Sequence, residues 1–200
     1  MTYRQKRWAA ALVAIMLTAG AACARKPSPP PPTPRADFKA GEVRVLDADE
    51  RPGAKEAGNG EVPAILSFLN AYYDAAFLDP KHFRAGARDL LPMFGPDAQP
   101  GVAPNIEALA LGDLARGVAR VRPTKQLAQK VSLILETDSS VSAAVVTIVF
   151  DGLATRTEDG APEVKIEHRA TFWLNKGSEG YKITTFEAQL KADSKTVVAK

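Results

Sequence analysis

From Leu127 onward the apolar residues of this chain recur at every second position, in four stretches separated by short polar turns. A period of two sends successive side chains to opposite faces of a strand, so this pattern commits the C-terminal third to sheet. Glu163 to Asn175 alternates most cleanly. Val164, Ile166, His168, Ala170, Phe172 and Leu174 share one face, and Lys165, Glu167, Arg169, Thr171 and Trp173 share the other. Upstream, Leu127, Gln129, Val131, Leu133 and Leu135 form one face against Lys130, Ser132, Ile134 and Glu136. Val141 to Thr155 is apolar on both faces at its centre, and Tyr181 to Leu190 makes a fourth strand. The turns at Asp138-Ser139-Ser140, Glu158-Asp159-Gly160 and Gly177 to Gly180 are short, which requires antiparallel neighbours.

Ahead of these strands the period is helical. Asn59 or Gly60 can cap a helix whose first turn accepts Pro63. Val62, Ile65, Leu66, Leu69, Tyr72, Tyr73 and Ala76 then form one stripe of about five turns. Asp79-Pro80 stops that helix and opens a second carrying Phe83, Ala87, Leu90 and Leu91. After a loop punctuated by Pro92, Pro96, Pro100 and Pro104, Ile106, Leu109, Ala110 and Leu114 suggest a third. The expected class is α+β, with N-terminal helices packed on an antiparallel sheet of about four strands.

The chain has 200 residues, 46% of them apolar, enough for one domain with tails. Its formal charge of +3 resides wholly in Arg4, Lys6 and Arg7, which precede any acidic residue. The rest is neutral and holds no basic aromatic platform, which argues against nucleic acid as a partner. The single Cys excludes an internal disulfide, and with two His it excludes a His/Cys-rich zinc site, so no metal or cofactor is expected.

The three basic residues instead begin a secretory signal: an uncharged apolar run from Trp8 to Ala22, then small residues. Gly20-Ala21-Ala22-Cys23 resembles a bacterial lipoprotein lipobox, in which the Cys is diacylated and becomes the first residue. That motif has an aliphatic residue where this chain has Gly20, and ordinary cleavage after Ala21, Ala22 or Ala24 is the alternative. Six prolines in the eight positions from Pro27 to Pro34 then make a stiff run. Val43, Val45 and Leu46 could form one short strand, but little else near them is apolar. The expected organisation is a signal at 1–22, a lipidated disordered tether at 23–58, a folded domain at 59–193 and a tail at 194–200.

Three segments carry a resemblance. Phe68-Leu69-Asn70-Ala71-Tyr72-Tyr73, Leu91-Pro92-Met93-Phe94-Gly95-Pro96-Asp97-Ala98, and Thr171-Phe172-Trp173-Leu174 through Gly180-Tyr181-Lys182-Ile183 resemble the first helix, the loop after the second helix and the last hairpin of the nuclear-transport-factor-2-like superfamily, which includes ketosteroid isomerase. The resemblance covers roughly residues 61–191. It implies a curved, cone-shaped, cystatin-like sheet wrapped on the long helix around a pocket. Together with the export signal it looks like an envelope lipoprotein, anchored at the extracytoplasmic face of the cell membrane.

His168 is the residue of greatest chemical interest, because it sits on an otherwise apolar strand face. It is expected to point inward, either as a hydrogen-bonded neutral imidazole or as a pocket acid or base. Tyr72 and Tyr73 lie on the helix stripe, as core aromatics with one polar tip or as substrate donors, and Asp74 borders it, as a solvated flank or as a partner of His168; with His168 these three make the candidate pocket. The carboxylate, tyrosine and acidic oxyanion donor that ketosteroid-isomerase-like enzymes use do not map onto this chain. Trp173, among charged neighbours on the opposite face, marks a candidate interface with a second copy or an envelope protein. Two functions follow: a non-catalytic tethered module that binds a small hydrophobic ligand or a partner protein, and a small exported isomerase- or dehydratase-like enzyme using His168 or Asp74.

Overall fold

The computed structural model describes residues 32–46, 54–136, 138, 140–193 and 195–199. The signal segment, Cys23 and the proline run as far as Pro31 lie outside the described residues.

Strands dominate, and their number and pairing correct the expectation of helices on a four-stranded antiparallel sheet. Six strands run in sequence order across one sheet: β1 (Lys39–Val45), β2 (Val118–Leu135), β3 (Val141–Arg156), β4 (Val164–Gly177), β5 (Gly180–Ala192) and β6 (Lys195–Ala199). The sheet is mixed, because β1 lies parallel to β2 while every other pair is antiparallel. Both added strands come from segments expected to be tether and tail. The short strand that Val43, Val45 and Leu46 allowed is β1, which the pattern did not place in the sheet because it pairs with β2 across a long crossover rather than through a hairpin; β6, with five residues, escaped the pattern. Strand β2 begins nine residues before Leu127, and register shifts at Val118/Arg120, Pro123/Lys125 and Ala128/Lys130 interrupt its alternation.

Among the described residues one helix is long. α1 (Ala54–Tyr73) continues into a π-helical turn at Asp74–Leu78, closed by the Asp79 N–H on the Asp74 carbonyl at 2.7 Å. The expected second helix is two single turns, α2 (Pro80–Phe83) and α3 (Ala87–Leu90). Asp79 caps the first through the Lys81 N–H, and Gly86, at φ 63°, breaks the chain between them. α4 (Gln99–Val102) and α5 (Ile106–Leu109) are also single turns, and a 3-10 turn at Gly112–Gly117 leads into β2. Among the described residues no helix is long and apolar enough to cross a membrane.

The core lies between α1 and one face of the sheet. Ile65, Leu69, Tyr72, Tyr73, Ala76 and Phe77 from the helical side meet Val146, Ile148, Phe150, Ile166, His168 and Phe172 from the strands, all buried. Tyr73 is its aromatic hub, with ring centroids at 4.5 Å from Phe38, 5.1 Å from Phe150 and 5.4 Å from Phe77. Such rings each contribute roughly 1.5–3 kcal/mol by burial.

Phe38 belongs to the segment expected to be a free tether, and its docking is specific. Three successive backbone N–H groups are received by side chains: Ala36 by Asp74 (2.7 Å), Asp37 by Gln126 (2.9 Å) and Phe38 by Asn70 (2.8 Å). Asn70 and Asp74 lie one turn apart on the helical face, so one ridge of the helix grips the incoming chain just before it enters the sheet as β1.

Candidate functional site

The sequence singled out four residues as a pocket, and the structure brings three of them together. Tyr72 and Tyr73 end α1, and His168 faces them from the centre of β4; all three are fully buried. His168 Nε2 lies 3.0 Å from the Ala108 carbonyl, which can only accept, so this nitrogen carries the proton. Its Nδ1 therefore accepts from the Tyr73 hydroxyl at 2.7 Å. One neutral tautomer satisfies both contacts. The Tyr72 hydroxyl donates to the next carbonyl, Leu109, at 2.7 Å.

These bonds have a structural cause. α5 is a single turn, and its last carbonyls have no partners within the helix. Ala108 and Leu109 both lie in its last turn, and the imidazole and the phenol cap them from the core. The segment Ala108–Leu111 is buried as a result, and the Leu111 N–H reaches the Ala76 carbonyl at 3.3 Å. The expected cavity beside His168 is thus filled by Tyr73, Phe77 and the α5 segment.

The electrostatics agree. Burial pushes the His168 imidazole down to about 3, more than its bond to Ala108 can offset, so it stays neutral. Burial also raises the Tyr72 and Tyr73 phenols far above their ordinary range, which keeps both as donors. Asp74 does not meet His168. Its carboxylate accepts from the Ala36 N–H and from Arg35 at 3.2 Å, on the side where β1 enters.

The open space lies elsewhere. A cleft of about 490 Å³ separates the α2–α3 junction from α5 and the 3-10 turn that follows it. Its floor is apolar, from Phe83, Ala87, Ile106 and Ala115, and its rim carries Arg84, Glu107, Asp113 and Arg116. Arg84 donates to the Val118 carbonyl at 3.0 Å with its guanidinium 5.8 Å above the Phe83 ring, and Arg116 pairs with Asp113 at 3.6 Å. Gly112 shapes the far wall: its φ is 52°, and a Cβ there would lie 2.8 Å from the Glu107 Cα. On the other side of that wall Leu111, Leu114, Leu190 and Val197 line a smaller hollow of about 150 Å³.

None of the four candidates lines this cleft. Its residues were hidden from sequence reasoning because the cleft arises where two expected helices are broken into single turns. The only local signals were Gly86 and Gly112. Trp173 is half-buried on the sheet face opposite α1, beside Val145 and Thr185. Among the described residues no group of three or more His, Cys, Asp or Glu side chains could hold a metal ion. No family model, no curated protein and no solved structure matches this chain.

Proposed function

We propose that the protein is a membrane-tethered, non-catalytic cell-envelope lipoprotein that binds a small hydrophobic ligand in the cleft between Phe83 and Ile106. One observation carries the reading. The apolar-floored cleft is open, whereas the interior polar constellation of Tyr73 and His168 is sealed, with every ring nitrogen committed to a structural bond. A general acid or base must reach the proton that it moves, and His168 reaches none outside the core. The cleft volume falls within the range of roughly 300–1,000 Å³ typical of small-molecule sites. Its rim carries two cations and two anions, which suits a ligand of no net charge.

Export and acylation at Cys23 supply the membrane attachment in this reading, since two acyl chains suffice for stable anchoring. Two substitutions test the proposal. Ala87→Trp fills the cleft floor, and the apolar molecules that co-purify with the wild-type protein from native membrane, identified by mass spectrometry, should be lost. An unchanged set of molecules refutes the cleft as the site. Cys23→Ala should move the protein out of the membrane fraction.

A further inference from the structure

The cleft and the smaller hollow beside it share a boundary. Glu107 and Asp113 line both spaces, and among the described residues no others do. The partition between the two is residues 111–114. It is anchored by the Leu111 N–H on the Ala76 carbonyl at 3.3 Å and tightened by the Leu114 N–H on the Leu111 carbonyl at 3.0 Å. Gly112 lets it press directly on Glu107, since a Cβ there would lie 2.9 Å from the Glu107 Cγ. The floor of the hollow is apolar: Leu111 and Leu190 are buried in it, and Leu114 and Val197 are half-buried. Arg84 and Arg116 line the larger cleft alone, so the boundary itself is acidic.

We infer that cleft and hollow are two lobes of one site, and that its ligand is a zwitterionic amphiphile with two apolar arms, of the ethanolamine-phospholipid kind. This rests on the cleft being the ligand site. The amine of the head meets the Glu107 and Asp113 carboxylates at the boundary, and the phosphate turns toward Arg116. Both carboxylates already interact within the chain, but a carboxylate accepts at about four positions. The exposed Asp113–Arg116 pair, at 3.6 Å, is weak in water, and a zwitterion gives each partner an opposite charge in exchange.

The shape of the site selects two arms over one. A single chain confined to the cleft leaves the apolar floor of the hollow in water. A single chain bent through both lobes lays methylenes across two carboxylates and strips their water without compensation. Two arms joined at a polar head cover both floors and set the head where the polar groups are. The hollow, at about 150 Å³, suits the shorter arm, because an apolar space of roughly that volume accepts a six-carbon group such as benzene. The cleft, at about 490 Å³, takes the longer one.

Native mass spectrometry of the full chain, released from detergent, tests this with dihexanoylphosphatidylethanolamine, its analogue lacking one hexanoyl chain, and dihexanoylphosphatidylglycerol. The wild type should bind the two-chain ethanolamine lipid at least about tenfold more tightly than the one-chain analogue. Val197→Trp fills the hollow and should abolish that advantage while leaving the one-chain analogue bound as before. Leu114→Trp, which narrows the hollow from the partition, should do the same. Asp113→Asn should reduce the preference for the ethanolamine head over the glycerol head by roughly threefold. One- and two-chain lipids that bind the wild type equally, and are both lost in Ala87→Trp, overturn the two-lobed site and leave the cleft reading standing. A two-chain advantage that persists in both tryptophan variants, or a wild type that prefers the glycerol head, also overturns it. A wild type that binds none of the three lipids overturns the cleft reading and this inference with it.

Discussion

The two faces of β4 show how one strand can serve opposite ends. On the inner face His168 sits between Ile166 and Ala170 with no solvent, and every polar atom of its ring is bonded. On the outer face, one residue along, Arg169 reaches Asp151 while remaining partly exposed. A buried polar group without a partner costs about 1–3 kcal/mol. The inner face therefore admits a polar residue only as part of a closed network. Water relaxes that demand outside, where Thr171 and Trp173 can remain half-buried. The polar chemistry of Tyr73 and His168 inside this protein is consequently structural.

The sharpest way to break this contrast is at Phe38, which ties the first strand into the inner core. Phe38→Ala should cost about 3–5 kcal/mol in urea unfolding, because the ring packs on Tyr73 and Phe150 and its site cannot collapse around the gap. A loss below about 1 kcal/mol would return residues 32–46 to the role of a free tether.

Acid should act next, through His168. Its folded pKa of about 3 lies below the ordinary value near 6.5, so the unfolded chain binds the proton more readily. Stability is thus full above about pH 6.5 and falls by about 1.4 kcal/mol per pH unit as pH drops toward 3. By pH 4.5 the loss should approach about 2–3 kcal/mol. His168→Gln should flatten this slope between about pH 6.5 and 4.5. An equally steep slope in the variant would assign the acid sensitivity to other groups.

Tyr73→Phe removes the donor to His168 Nδ1 and little volume. It should cost about 1–3 kcal/mol, the loss expected for an orphaned buried acceptor. The smallest effect belongs to the outer face. Thr171→Ala should change stability by no more than about 0.5 kcal/mol. A larger change would mean that this face is covered within a single chain.

Several elements could be read from local pattern because their signals are local. The alternation over 163–175 appears as β4 at Val164–Gly177, and the stripe from Ile65 to Ala76 faces the sheet. Asp79-Pro80 stops one helix and caps the next. The rest depended on distant partners. Phe38 lies among charged and small residues, and nothing nearby indicates that Asn70, Asp74 and Gln126 will receive its segment. The turns at α2, α3 and α5 looked like longer helices because Phe83, Leu90, Ile106 and Leu109 are apolar at helical spacing. Burying them against different neighbours broke those helices at Gly86 and after Leu109.

For the site, alternation determined from sequence alone that His168 points inward, and helical spacing determined that Tyr72 and Tyr73 lie on the apolar stripe of α1. Whether the histidine would face a pocket or a packed wall was decided only by tertiary structure. The outcome turned on the carbonyls at the end of α5, which needed donors and were placed within reach of His168 and Tyr72 by the crossover from the helix to β2. A strand's side-chain direction follows from its own covalent geometry, whereas the contents of the space that it faces depend on where the rest of the chain finds partners for its backbone.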